Sequence, residues 1–195
     1  VIAVLIFALI IYVTNTIHQR QIDNENQINV GQRVSYNVSL YEDWTIRIVD
    51  VIKSIAYTPQ VQKYLTEVDQ IEKYRMSRDM QRFLSNVSSL RDEIANISFM
   101  NNEDLVYSFS AINVTQLEAI REIGLKAQLS REPIFSYISS TDAFRDSSQS
   151  IILVSLPVYS IYDEYTIESG SKIGSVILQI DSSVFYDLIG LSAVQ

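Results

Sequence analysis

The chain has 195 residues, a net charge of -8, 47% apolar residues and no cysteine. That is enough for one ordinary domain plus a stalk. It excludes disulfides, thiolate nucleophiles and cysteine-ligated metals, and with no basic stripe it excludes nucleic acid as a partner. The acidic balance also disfavours docking on anionic lipid and suits the outer side of a membrane, because Lys and Arg concentrate in cytoplasmic flanks. An exported domain without cysteine fits a bacterium that seldom uses disulfides.

Val1 to Val13 read VIAVLIFALIIYV, without a charge or a helix breaker. A membrane span needs about 20 apolar residues, so 1–13 reads as a truncated transmembrane helix. The alternative is the apolar core of a signal peptide, but VTNTIHQRQ offers no small-residue cleavage site. The stretch 14–93 is expected to be a helical stalk with packing helices, 94–190 the folded module, and 191–195 the start of a linker to a further part.

Between Thr14 and Tyr57, Val34, Val38, Tyr41, Ile48, Ile52 and Ile55 fall at helical spacing, and Trp44, Val49 and Val51 widen the stripe. This predicts a long helix with one contact face. A packing face and a coiled-coil or dimer seam both fit the pattern. Thr58-Pro59 breaks it and starts a second helix, with Thr58 as N-cap. Val61, Leu65, Val68 and Ile71 carry that helix on. Tyr74, Met80, Leu84, Val87, Leu90 and Ile94 extend it, with a bend expected near Tyr74. Glu67, Glu72, Arg75, Arg78 and Asp79 fall on its solvated side.

The texture then changes. IANISFM (94–100) and LVYSFS (105–110) flank a turn and read as a β-hairpin. Val114 to Leu129 is helical, with Thr115 and Glu118 spaced as a capping box. Ile134 to Ile138 reads as a short strand or extended segment, and 139–150 as a polar loop. SIILVSLPVY (150–159) and KIGSVILQI (172–180) predict an antiparallel pair too apolar to have a wet face. Pro157 predicts a bulge or a strand edge. Asp181-Ser-Ser is expected to cap a last helix, SVFYDLIG, ended by Gly190. The fold class is therefore α+β, a long N-terminal helix packed on a PAS-like antiparallel sheet.

Little in the chain carries chemistry. His18 is the only histidine, and Asp142, Asp163 and Glu164 sit in polar stretches that read as solvated. There is no phosphate-binding glycine loop, nucleophile elbow or calcium loop, so no enzyme activity, metal or cofactor is expected. Asn37, Asn86, Asn96 and Asn113 begin glycosylation sequons, but Asn86 lies in a helical pattern and Asn96 in a strand, and no glycan is assigned.

The membrane-emergent helix with its Thr-Pro break, followed by SIILVSLPVYS and GSKIGSVILQIDSSVFYDLI, resembles the extracellular Cache domains of bacterial sensors, above all YesM-like sensor histidine kinases. The resemblance covers nearly the whole chain. It implies a non-catalytic ligand-sensing domain on the extracellular face of a bacterial, Gram-positive cell membrane. The expected partners are a small-molecule ligand or other extracellular cue, the membrane through the N-terminal helix, a second copy in a homodimer, and a cognate response regulator through a cytoplasmic part.

The family's pocket lies between the sheet and covering segments, here about Leu129 to Asp146. In amino-acid-binding relatives an Arg-x-Trp-Tyr stretch grips the ligand carboxylate and a late acid its amine. Asp181 stands where that acid would be. Arg131 stands near the Arg, but Glu132, Pro133 and Ile134 follow, so the aromatic half is absent. Tyr137 and Tyr159 are the remaining candidate contacts. For Asp181, capping of Val184 and Phe185 is the competing role.

Three other functions compete. One is the ectodomain of a methyl-accepting chemoreceptor. Another is a pilin-like structural protein, against which residues 1–13 lack the expected Glu. The third is an anchored enzyme, against which stands the near absence of His and Cys. If the first helix transmits the signal, Ile48→Pro should uncouple sensing from output.

Overall fold

The computed structural model describes residues 2–101, 104–141, 148–161 and 170–184, with the backbone alone at 2–27, 115, 139–141, 148 and 149. It divides into two units, Val1–Trp44 and Thr45–Gln195. The elements run α1 (Ile2–Ala56), α2 (Pro59–Thr66), α3 (Gln70–Ser89), β1 (Ile94–Met100), β2 (Leu105–Ser108), α4 (Val114–Leu129), β3 (Ile134–Thr141), β4 (Ser148–Tyr159) and β5 (Lys172–Asp181).

The first unit is a single helical stretch of α1. Its Val34, Val38 and Tyr41 are exposed. Among the described residues no helix is long and apolar enough to cross a membrane. The apolar run gives way to Asn15, His18 and Arg20 within the same helix.

The second unit opens with the last turns of α1, where Ile48, Ile52, Ile55 and Ala56 are buried. The stripe read from the sequence therefore has two halves, one exposed and one in a core. Thr58 has the extended backbone of an N-cap and Pro59 takes the first helical position, as the fixed φ of proline favours. The Thr58 hydroxyl, however, donates back to Ser54 O at 2.7 Å instead of capping α2.

The expected single helix with a bend near Tyr74 is corrected. The chain breaks at Glu67–Asp69, between α2 and α3. Glu67 Oε1 accepts from the amides of Val68 and Asp69, and Asp69 Oδ1 accepts from Ile71 N at 2.8 Å. These carboxylates satisfy amides that a continuous helix would have bonded internally, which is how Asp and Glu start a new helix. As a result Val68 is 85% and Tyr74 81% exposed, and Ile71 is exposed as well. Burial resumes at Met80 and Leu84.

The five strands form one antiparallel sheet in the order β2-β1-β5-β4-β3. The expected pairing of the two apolar C-terminal strands is observed, with Val154 opposite Leu178 and Ile152 opposite Ile180. Pro157 lies in the part of β4 beyond its last β3 partner, Ser155, so it occupies an edge stretch; the bulge comes at Val158/Tyr159. The polar segment 139–150 is not all loop, because β3 runs to Thr141 and β4 starts at Ser148. Backbone pairing there overrides the weak β preference of serine. Residues 142–147, including Asp142, and 162–169, including Asp163 and Glu164, lie outside the described residues, as does most of the expected last helix.

α4 crosses one face of the sheet. Its Ile120 and Ile123 join Met100, Ile151, Leu153 and Ile177 in a core cluster, flanked by Ile134 and Ile138. Full burial of such a side chain is worth about 1.5–3 kcal/mol. The helix starts at Val114, as the sequence predicts, but the capping box is Asn113 with Gln116, not Thr115 with Glu118. Asn113 holds the extended N-cap backbone, and Thr115 already lies inside the helix. Gly174 permits close packing: a Cβ there would lie 2.1 Å from Met100 O on β1.

Candidate functional site

Strand alternation sorts the residues singled out in the sequence. Ile134 and Ile138 of β3 pack with the α4 core, so Tyr137 lies on the opposite face. Its hydroxyl meets Ser150 Oγ at 2.6 Å. Ile177 of β5 belongs to the α4 core, so Gln179 and Asp181 share the α4-facing side. Asp181 Oδ1 accepts from Ser183 N at 2.8 Å, so the capping role is realised one residue earlier than expected. Asp181 pairs with Ile151, and Tyr159 with Lys172. At roughly 3.3 Å per residue, this sets Asp181 and Tyr159 roughly 26 Å apart. Arg131 is exposed in the α4–β3 connection. The four do not converge on one point.

Two groups not singled out from the sequence stand out. The first is Gln179. It is 3% exposed, and its Nε2 has no hydrogen-bond partner. It lies in register with Asn96 and Leu153. Asn96 is fully engaged, its Oδ1 accepting from Ile97 N and Ser110 N at 2.8 Å each and its Nδ2 donating to Ser108 Oγ at 3.0 Å. A buried sequon asparagine so engaged is no glycan acceptor. Gln179 Nε2 is therefore an unpartnered donor on this face of β5, as is Ser175 Oγ nearer the other end of the strand. No spacing rule flags a lone Gln within an apolar strand.

The second is a cleft of about 520 Å³ between α2, α3 and the β1–β2 hairpin. Tyr64 forms its inner wall. It is buried, edge-on to Tyr107 at 5.5 Å, and its hydroxyl donates to Val106 O at 3.3 Å. Burial raises the Tyr64 phenol above its ordinary pKa. It does the same for Tyr107, helped by repulsion from Tyr64. Lys73 Nζ stands 5.4 Å from the Tyr64 ring centroid and donates to Glu67 O at 3.2 Å. On the hairpin side, the Leu105 amide, followed by Arg121, holds the Asp104 carboxyl below its usual range. Tyr74 and Ser77 complete the rim. The cleft exists because the helix breaks at 67–69, the position the apolar pattern alone misplaced.

Among the described residues no group of three His, Asp or Glu could hold a metal ion.

No protein-family model matches the chain, and no curated protein matches it in sequence. Solved structures do match its fold. The ligand-binding domain of the Campylobacter jejuni chemoreceptor Tlp3, in complex with L-valine, superposes with a TM-score of 0.56 at 14% identity, over 81% of this chain and 60% of that one. The ligand-binding domain of the Pseudomonas aeruginosa PAO1 amino acid chemoreceptor PctC, in complex with GABA, gives 0.51 at 14% identity over 82% and 66%. An extracellular domain assigned to a histidine kinase, vpHK1S-Z8, gives 0.58 at 12% identity over 81% and 58%. The chain thus spans less than two thirds of each. Its fold is the Cache/PAS-like fold seen in these chemoreceptor ligand-binding domains and in the histidine-kinase extracellular domain.

Proposed function

We propose that this chain is the extracytoplasmic ligand-sensing domain of a membrane-bound bacterial signalling protein, and that its ligand is a small zwitterion such as an amino acid. The observation that carries this reading is the pairing of Gln179 and Asp181 on one side of the central strand β5. Alternate residues on a strand face the same way roughly 6.6 Å apart. The unpartnered Gln179 amide suits a carboxylate, and the Asp181 oxygen not used for capping suits an ammonium group. The likeness to domains bound to L-valine and GABA supports this ligand class. Arg131 is proposed as an outer contact; Tyr137, on the opposite face, and Tyr159, roughly 26 Å along the sheet, do not reach the same small ligand.

For output, we favour a chemoreceptor, with a sensor histidine kinase of the YesM-like kind and its response regulator as the second reading, in a Gram-positive cell. The exposed Val34, Val38 and Tyr41 on α1 support a homodimer seam, and the apolar 1–13 supports a membrane anchor.

Thermal melting of the purified chain with L-valine, L-isoleucine and GABA tests the ligand. Ligand at about 100 times Kd adds about 2.7 kcal/mol, which raises Tm by roughly 5 °C or more. Asp181→Asn should remove the shift. If none of the three ligands moves Tm in the native chain, the proposed ligand class is wrong.

A further inference from the structure

We propose that the cleft between α2, α3 and the β1–β2 hairpin is a second small-molecule site, separate from the Gln179–Asp181 side of the sheet, and that it takes a planar organic anion. Its volume, about 520 Å³, lies within the range of small-ligand pockets. The two sites sit on different parts of the fold. Phe99 contacts Tyr107, which meets Tyr64 at the cleft. Met100, next in β1, belongs to the α4 core, and neighbours along a strand face opposite ways.

The charge of the ligand follows from the cleft and its surroundings. Lys73 is its cation, held in place by Glu67 O and the Tyr64 ring. An ammonium group has three donors, so the bond to Glu67 O leaves capacity for an anionic group. Among the described residues, the carboxylate on the rim, Asp104, is already paired with Arg121. Past Tyr74 a second depression of about 370 Å³ is lined by Arg75, Arg78 and Arg82. Arg75 and Arg82 have ion-pair partners, Glu72 and Asp79. Arg78 has none among the described residues. α3 carries Lys73 and three arginines against Glu72 and Asp79, a net surplus of positive charge in a chain of net charge -8. Such a local field draws anions.

The body of the ligand follows from Tyr74. It is shared by both depressions and highly exposed, so its ring is available for stacking. A planar carboxylate would place its charge at Lys73 and its ring against Tyr74.

The test is calorimetric titration of the whole chain with benzoate, inorganic phosphate and benzylamine. Benzoate should bind, phosphate should bind more weakly, and benzylamine should not bind. A charge-assisted hydrogen bond implies that Lys73→Met weakens benzoate by about tenfold or more, while Lys73→Arg retains most of it. Tyr74→Ala, at an exposed position that cannot disturb the core, should weaken benzoate about fivefold and leave phosphate unchanged. Asp181→Asn should change neither, so failure of the amino-acid reading and failure of this one are distinguishable. No benzoate binding at about 10 mM, equal affinity for benzylamine, or benzoate affinity unchanged in both Lys73→Met and Tyr74→Ala would overturn the proposal.

Discussion

On the α4 side of the sheet, Met100, Ile120, Ile123, Ile151, Leu153 and Ile177 close into an apolar core. On the α2–α3 side, Tyr64, Lys73, Tyr74 and Asp104 border a polar cleft. The first arrangement comes from two regular periods meeting, 3.6 in the helix and 2 in the strands, and it stabilises the fold. The second comes from an interruption, in which carboxylates at 67 and 69 take backbone amides away from a helix and leave the following turn exposed. Substitutions of these α4-side core residues should therefore register in stability, and substitutions at the rim of the cleft in binding.

The largest expected effect tests the core. Ile177→Ala removes a fully buried side chain from the central strand and should cost about 2–5 kcal/mol in denaturant unfolding. A loss no larger than that of a surface substitution would mean that the α4 face is not the core.

Next comes a link between elements. Gln62 is 1% exposed. Its Nε2 donates to Ala56 O at 2.9 Å and to Tyr159 O at 3.2 Å, and its Oε1 accepts from Ile161 N at 3.2 Å. It therefore ties the end of α1 to the end of β4. Gln62→Leu strands two carbonyls and an amide and should cost about 2–4 kcal/mol, read as a fall in the denaturation midpoint.

Much of this contrast is legible in the sequence, and the rest is not, for physical reasons. β1 and α4 could be bounded to the residue because Ile94–Met100 and Val114–Leu129 are regular runs between turns. The β4–β5 pair was legible because a central strand is apolar on both faces. The Glu67–Asp69 break was hidden because Val68 and Ile71 keep the helical spacing while local carboxylate bonds end the helix. The outward extension of β3 and β4 was hidden because Ser139, Ser140 and Thr141 break the apolar pattern, while backbone pairing with 148–150 carries the strands on. Of the residues in the two proposed sites, Asp181 is the one that the family phrase points to. Gln179 and Lys73 were not legible, since a polar side chain in a strand or on a helix face becomes informative only once its neighbours are known.

Gln179→Met sharpens the contrast from the other direction. It replaces a buried side chain whose Nε2 has no partner with an apolar group of similar length. It should raise stability by about 1 kcal/mol while abolishing the amino-acid Tm shift. Asn113→Ala, which removes the capping box of α4, should cost about 1 kcal/mol in the same unfolding measurement.

Alkaline pH probes the aromatic wall. Burial raises the phenols of Tyr57, Tyr64 and Tyr107 above 10.0, with Tyr159 adding repulsion at Tyr57 and Tyr64 at Tyr107. Above that value the unfolded chain loses protons that the native state keeps. Stability is therefore fully present below pH 10 and falls as pH rises through the raised values. The unfolding midpoint should drop over that window, and Tyr64→Phe should flatten the drop. The smallest effect is expected for Tyr74→Ala, within about 0.5 kcal/mol of native stability.

As a proposal, ligand binding in the Thr45–Gln195 unit is passed on through α1. Ile48, the position favoured from sequence for a proline probe, is 1% exposed and would disturb the core itself. Val38 is exposed, lies in the other unit and is interior to α1, where proline costs about 3 kcal/mol of helix stability. The decisive measurement is ligand-driven output of the intact signalling protein carrying Val38→Pro, alongside ligand affinity of the same variant. The account predicts unchanged affinity with output lost; normal ligand-driven output would contradict it.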